Sequence, residues 1–167
     1  MIVMDAKSKL NLPPPFDEAM HRHQHEIMRF ILRATGDRDD ALDLFQETWL
    51  RAYRSYGQLD SADGLRPWLF RIASNLCLNR KRDRARRARV IADVELNDEE
   101  AGAVSSMHES ALHLKSMLGR LPNKQRQAVM MRKLGRLDYG EIAAALGCSE
   151  EAARAGVYLA MKKLKAE

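Results

Sequence analysis

One stretch without periodicity constrains this chain more than any other feature. From residue 90 to residue 105 the apolar positions follow neither a helical nor a strand repeat, and Asp93, Glu95, Asp98, Glu99 and Glu100 crowd into it. A segment of that kind reads as a flexible, solvated linker, so the chain is expected to fold as two smaller units, 16–89 and 106–167. Charge divides the chain in the same way. Residues 16–90 hold 15 basic and 11 acidic side chains, residues 91–120 hold 2 and 6, and residues 121–167 hold 9 and 5. Two cationic blocks joined by an anionic one suit two modules that meet phosphate, with a connection that avoids it. The overall charge of +5 agrees without deciding the matter.

Within each block the apolar residues recur at helical spacing. Residues 1–15 end in Pro13-Pro14-Pro15 and read as an extended, disordered lead-in. A first helix from Phe16 buries Ala19, Met20, His23, Ile27, Phe30, Ile31 and Ala34, and stops at Gly36. Asp37 caps a second helix, whose apolar stripe takes in Ala41, Phe45, Thr48, Trp49, Ala52, Tyr53 and Tyr56 and which Gly57 ends. After a polar loop, Gln58 to Arg66, Pro67 opens a third helix with Trp68, Leu69, Ile72, Ala73, Leu76 and Cys77 on its stripe. It runs into Arg80–Arg89, where seven residues of ten are basic. In the second block, Ser106 and Glu109 have the spacing of a capping box for a helix ending at Gly119. A helix from Lys124 to Leu134 stops at Gly135. Asp138 and Glu141 repeat the capping-box spacing before a short helix, Gly147-Cys148 make a turn, and Ser149 caps a last helix to about Lys165. No strand is expected, and the fold class is all-α: a three-helix domain and a four-helix domain with a helix-turn-helix.

The short capped helix, glycine turn and Ser-capped helix at the C-terminus form the arrangement that presents one helix face to a DNA major groove, or an ordinary αα corner. On the third helix Trp68, Arg71, Asn75 and Asn79 precede the arginine run. Rings, guanidinium groups and amides together suit a strand with unstacked bases, although Trp68 also lies on the apolar stripe and reads first as a core residue. Asp43, Gln46, Glu47 and Leu50 share the exposed side of the second helix. Two carboxylates at i and i+4 can serve metal or acid–base chemistry, but no second set completes them. An exposed leucine beside acids and an amide is also what a protein-docking patch looks like. His21 and His25 share a face without a carboxylate or cysteine partner, and Cys77 and Cys148 have no metal spacing. No phosphate loop or nucleophile elbow is present. We therefore expect no catalytic residue, no metal and no cofactor. With no span-length apolar run and no signal segment near the N-terminus, the expectation is a cytoplasmic protein without membrane insertion of its own.

Two blocks of residues resemble a known family. Asp43-Leu44-Phe45-Gln46-Glu47-Thr48-Trp49 and Trp68-Leu69-Phe70-Arg71-Ile72-Ala73-Ser74-Asn75 are similar to conserved region 2 of the extracytoplasmic-function (ECF) sigma factors of the sigma-70 family. Leu121-Pro122 with Arg126, Asp138-Tyr139-Gly140-Glu141-Ile142-Ala143 and Leu146-Gly147-Cys148-Ser149 are similar to region 4. The resemblance implies a transcription initiation factor that binds core RNA polymerase, through the clamp coiled coil of the largest subunit and the flap, and also promoter DNA. Asp43, Leu44, Gln46, Glu47 and Leu50 would meet polymerase. Gln58, Asp60, Trp68, Arg71, Asn75, Asn79, Arg80 and Arg82 would hold the opened −10 strand. Arg126, Ser149, Glu151, Arg154, Ala155, Tyr158 and Lys162 would meet the −35 duplex.

The resemblance also implies an anti-sigma factor as a partner, which can hold the protein at a membrane. An extended linker of 16 residues spans at most about 53 Å, enough for two elements more than one DNA turn apart. The last helix departs from the family pattern. Its outward face, Glu151, Ala152, Ala155, Tyr158, Leu159 and Lys162, is poor in cations. That departure keeps two other readings open: an adaptor that sequesters an anti-sigma factor, and a helix-turn-helix regulator.

Overall fold

Every helix start that the sequence marks with a capping side chain and that falls among the described residues is present in a computed structural model, which describes residues 11–92, 113 and 116–166. The helices are α1 (Phe16–Thr35), α2 (Arg38–Ser55), α3 (Leu65–Ala92), α4 (Asn123–Lys133), α5 (Tyr139–Leu146) and α6 (Glu150–Lys165), with a further helical stretch at 116–120. Among the described residues there is no strand. The Asp37 carboxylate accepts from Asp40 N at 2.9 Å, and Ser149 Oγ accepts from Ala152 N at 3.1 Å. Asp138 and Glu141 form a reciprocal capping box. Each cap satisfies an amide the helix leaves open, a contribution of about 1 kcal/mol. Gly147, at φ 63°, takes the left-handed turn between α5 and α6 that a side chain would disfavour.

Several boundaries and faces differ from expectation. α2 ends at Ser55, and Gly57 lies inside a 3₁₀ turn, Tyr56–Gln58. The helical stretch at 116–120 runs through Gly119. α3 starts two residues before Pro67 and continues to Ala92, into the stretch read as linker; residues 93–105 and the Ser106–Glu109 capping box lie outside the described residues. On α2 the buried arc is rotated toward Leu44: Leu44 is 3% exposed, whereas Tyr53, placed on the stripe, is 67% exposed. Residues 11–15, expected in a disordered lead-in, lie against the loop after α2. Asn11 O accepts from Ala62 N at 2.8 Å, and Pro14 O accepts from the Tyr56 hydroxyl at 2.6 Å.

α1, α2 and α3 pack mutually, as do α4, α5 and α6, but the two halves also share one core. α3 is the shared element. Leu69, Ala73, Leu76 and Cys77 are buried along its apolar stripe, and Phe70 and Leu78, off that stripe, are buried too. Phe70 meets Phe30 edge-on, with ring centroids 5.1 Å apart. It also comes so close to Gly135 that a Cβ there would lie 2.7 Å from Phe70 Cε1. Only glycine fits that approach. Polar contacts cross the same seam. Gln127 Nε2 donates to Asn75 Oδ1 at 2.7 Å, and Arg33 Nη1 to Leu134 O at 3.4 Å.

Arg66 is the most connected of the crossing groups. It donates through Nε to Glu26 at 3.0 Å, through Nη1 to Glu141 at 2.5 Å and through Nη2 to Gly135 O at 3.3 Å. Burial works to lower the Arg66 pKa, but the bonds and charges of Glu141 and Glu26 outweigh it and hold the group above its ordinary value. Glu26 mirrors this. Burial tends to raise it, while hydrogen bonds from His23 and Arg66 and the Arg66 charge keep it below the usual carboxylate range.

Candidate nucleic-acid interface

Because α2 and α3 run side by side, residues far apart in sequence line two neighbouring grooves. The first, an open groove of about 590 Å³, is lined by Arg51, Arg54, Ser55 and Gln58 from the end of α2 and its turn, and by Trp68, Arg71, Ile72 and Asn75 from α3. It has three guanidinium groups, an indole and two amides, and no acid in its lining. Trp68 is half-buried, so it packs against the core and still lines the groove. Tyr56 braces it, with ring centroids 6.2 Å apart. Cations for phosphate, a ring for stacking and amides for base edges are what a single strand requires.

Gln58, Trp68, Arg71 and Asn75, singled out from sequence, are thus brought together, and Arg51 and Arg54 join them. Nothing in the linear pattern connects those two arginines with the loop or α3. The signal that finds them is their position on the last turns of α2, beside the loop that leads into α3. Asp60 is exposed on that loop. Asn75 is the point at which the C-terminal half reaches the groove, since its amide oxygen is already engaged by Gln127.

The second groove, about 560 Å³, is lined by Asp43, Leu44, Gln46, Glu47, Leu50 and Arg51 of α2 and by Leu76, Asn79, Arg80 and Asp83 of α3. Asp43 and Gln46 are exposed, and Leu50 is 44% exposed. The buried Leu44 supports this face from beneath rather than forming its surface. Asn79 and Arg80, placed from sequence with the −10 set, line this second groove, and Arg82 lines the next concavity with Asn79, Asp83 and Arg86. Arg80 sits 3.7 Å from Asp43 and 3.5 Å from the buried Asp40, which Arg84 approaches to 2.7 Å. Arg51 bonds Glu47 at 2.6 Å and so borders both grooves.

On α6, Ala153, Val157 and Ala160 are buried, and Glu151, Ala155, Tyr158 and Lys162 are exposed, as is Ser149 at the cap. Arg154 pairs with Glu150 at 3.0 Å and lies over the Tyr139 ring at 4.3 Å, with Arg132 at 4.7 Å from the same ring. Arg126 lies elsewhere. Its guanidinium donates to Gly119 O and Leu121 O, closing the chain before α4, and burial with the nearby Arg82 charge lowers its pKa. Cys77 is buried and its thiol is pushed up to about 12, which leaves it inert at neutral pH. No group of three metal-ligating side chains occurs among the described residues. None of their helices is long and apolar enough to cross a membrane.

Comparison with known proteins gives these grooves a context. The family described as Sigma-70 region 2 matches residues 19–87, and the one described as Sigma-70, region 4 matches residues 112–164. The ECF RNA polymerase sigma factor SigM of Mycobacterium tuberculosis is 33% identical over 81% of this chain and 67% of its own length. The chain belongs to the ECF sigma factors. A similar protein, the ECF RNA polymerase sigma factor SigE of Mycolicibacterium smegmatis, is 31% identical over 98% of this chain, which spans 65% of that relative's length. ECF sigma factors are transcription initiation factors and not enzymes.

Solved structures share the fold. The sigma factor RpoE in complex with the anti-sigma factor NepR from Bartonella quintana has a TM-score of 0.63 at 22% identity, over 90% of this chain and 94% of that one. CnrH in complex with the cytosolic domain of CnrY has a TM-score of 0.65 at 22% identity, over 90% and 85%. The expected all-α architecture with two helical sigma modules and a helix-turn-helix is thus the observed one.

Proposed function

We infer that this ECF sigma factor binds core RNA polymerase, brings it to a set of promoters and assists their opening by holding unstacked bases of the −10 strand. The observation that carries the reading is the groove in which Arg51, Arg54 and Arg71 flank Trp68, Gln58 and Asn75. The neighbouring groove, with Asp43, Gln46, Glu47 and Leu50, is the proposed seat of the polymerase clamp coiled coil. The region 2 module spans 16–89, the linker 90–105 and the region 4 module 106–167. α6 meets the −35 duplex through Ser149, Glu151, Arg154, Ala155, Tyr158 and Lys162, and region 4 also meets the flap. Each DNA contact is weak alone, and tethering both to polymerase raises their effective concentration.

Two structures of similar fold contain anti-sigma factors. An anti-sigma factor is therefore a proposed partner here as well, able to hold the protein at a membrane and otherwise leaving it in the cytoplasm. The shared core and the Gln127–Asn75 bond favour a role for that partner in keeping the halves together, away from two separated promoter elements.

The test is transcription in vitro with purified chain and sigma-free core polymerase on pooled bacterial promoter fragments. Specific transcripts that disappear with an Asp43→Arg/Glu47→Arg double variant are expected. No binding to core would move the assignment to an adaptor that only captures an anti-sigma factor, or to a plain helix-turn-helix regulator.

A further inference from the structure

The loop between α2 and α3 is held both by its own turn and by the segment before α1. Ser61 Oγ caps the turn Ala62–Gly64 by accepting from Asp63 N at 3.2 Å. Beyond that, the loop is tied to the N-terminal strap. Asn11 Nδ2 donates to Ser61 Oγ at 2.9 Å and to Asp63 Oδ2 at 2.7 Å, and Asn11 O accepts from Ala62 N at 2.8 Å. At the other end of the strap, Pro14 O accepts from the Tyr56 hydroxyl at 2.6 Å. The Tyr56 ring in turn packs edge-on against Phe16, 5.2 Å away, and at a tilt against Trp68. Pro13, between the two anchors, and Pro14 and Pro15, which follow it, restrict the backbone and keep it extended. One side chain, Asn11, thus engages both polar side chains of the turn, and Gln58 and Asp60 remain on the part of the loop that faces outward.

We propose that Asn11 is a positioning residue for base selection: it holds Ser61 and Asp63 away from the opened strand and sets the loop so that Gln58 and Asp60 present themselves to an unstacked base. This rests on the reading of the adjoining groove as the opened-strand site. Preorganisation of this kind acts on discrimination, because a loop that wanders can satisfy several bases equally well.

The experiment uses the full chain with core polymerase and the promoters recovered by the transcription screen. These are pre-opened by mismatches over the −10 segment and carry each of the four bases in turn at every opened position. Wild-type protein prefers one base at the loop-facing position. Asn11→Ala reduces that preference about threefold, the scale of a net hydrogen bond, while affinity for core and the helical circular dichroism stay unchanged. Asn11→Asp, which sets two carboxylates against each other, flattens the preference further. Adding Asp63→Asn to it restores the preference by exchanging donor and acceptor. An unchanged preference in Asn11→Ala, or failure of the exchange to restore it, overturns the assignment. If wild-type protein binds no pre-opened promoter, the strand-holding function itself fails, an outcome distinct from the other two.

Discussion

The two proposed nucleic-acid faces of this chain are built on opposite plans. The groove between α2 and α3 is concave, carries three guanidinium groups without an acid in its lining, and keeps an aromatic ring half-buried at its wall. The outward face of α6 is a single helix surface on which Glu151, Ala155, Tyr158, Leu159 and Lys162 are exposed. Concave cationic surfaces gain most of their binding from phosphate, and that gain falls steeply with salt. A convex, cation-poor helix gains little that way and depends on shape, on a few base contacts and on being tethered. On the proposed function, the first half would be the source of affinity and the second half would add register.

Removing the cations of the groove is the strongest challenge to that division. The Arg51→Ala/Arg54→Ala/Arg71→Ala variant is expected to weaken binding to an opened −10 strand about a hundredfold and to lower the salt slope by about 2, at roughly 0.7 per single-strand phosphate contact. Fluorescence titration across salt concentrations measures both, and an unchanged slope would place the phosphates elsewhere. Gly135→Ala acts on the seam between the halves. A Cβ 2.7 Å from Phe70 Cε1 and 2.9 Å from Met131 O must displace a buried ring or backbone, and thermal unfolding should show a loss of about 2 kcal/mol.

Acid acts on the same seam more gently. Glu26 is held below its ordinary value of 4.5 in the folded chain, so its contribution is fully present above that value and is lost as pH falls through the depressed one. Glu26→Gln should cost about 1 kcal/mol at neutral pH and should flatten the acid limb of the stability profile, read by denaturant titration from pH 7 to pH 3. The smallest effect belongs to α6. Glu151→Lys removes an acid and adds a cation on an exposed face, with stability unchanged within about 0.5 kcal/mol. It should raise duplex affinity a few-fold and steepen the salt slope by about 0.9; no change would mean that this face does not meet duplex phosphate.

What could be read in the sequence was what short-range chemistry writes there. Asp37, Asp138 with Glu141, and Ser149 each announce a helix start through a bond made within three residues. Which side of a helix is apolar was legible as well, but what covers it was not. α3 shows why: Phe70 and Leu78 stand off the stripe of Leu69, Ala73 and Leu76, and two large apolar residues on a second side signal a second neighbour. The linker pattern argued for two modules and gave no sign that they share a core across α3. Arg51 and Arg54 were missed for a related reason, since helical spacing assigns them to an outward face without saying that α3 lies alongside and makes that face a groove. Leu44 and Tyr53 exchanged places because a stripe drawn through aromatics is pulled toward Tyr53, a residue whose hydroxyl tolerates water.

The seat of Phe70 against Gly135 bears on how such a protein can be re-engineered. Regions 2 and 4 are obvious cassettes for hybrid factors, one half chosen for its −10 element and the other for its −35 element. In this chain a graft at the linker would leave a benzyl group facing whatever residue the incoming half carries at the position of Gly135, and any side chain there lies within van der Waals radius of the ring. A workable hybrid must carry that glycine across with the second cassette or trim Phe70 in the first.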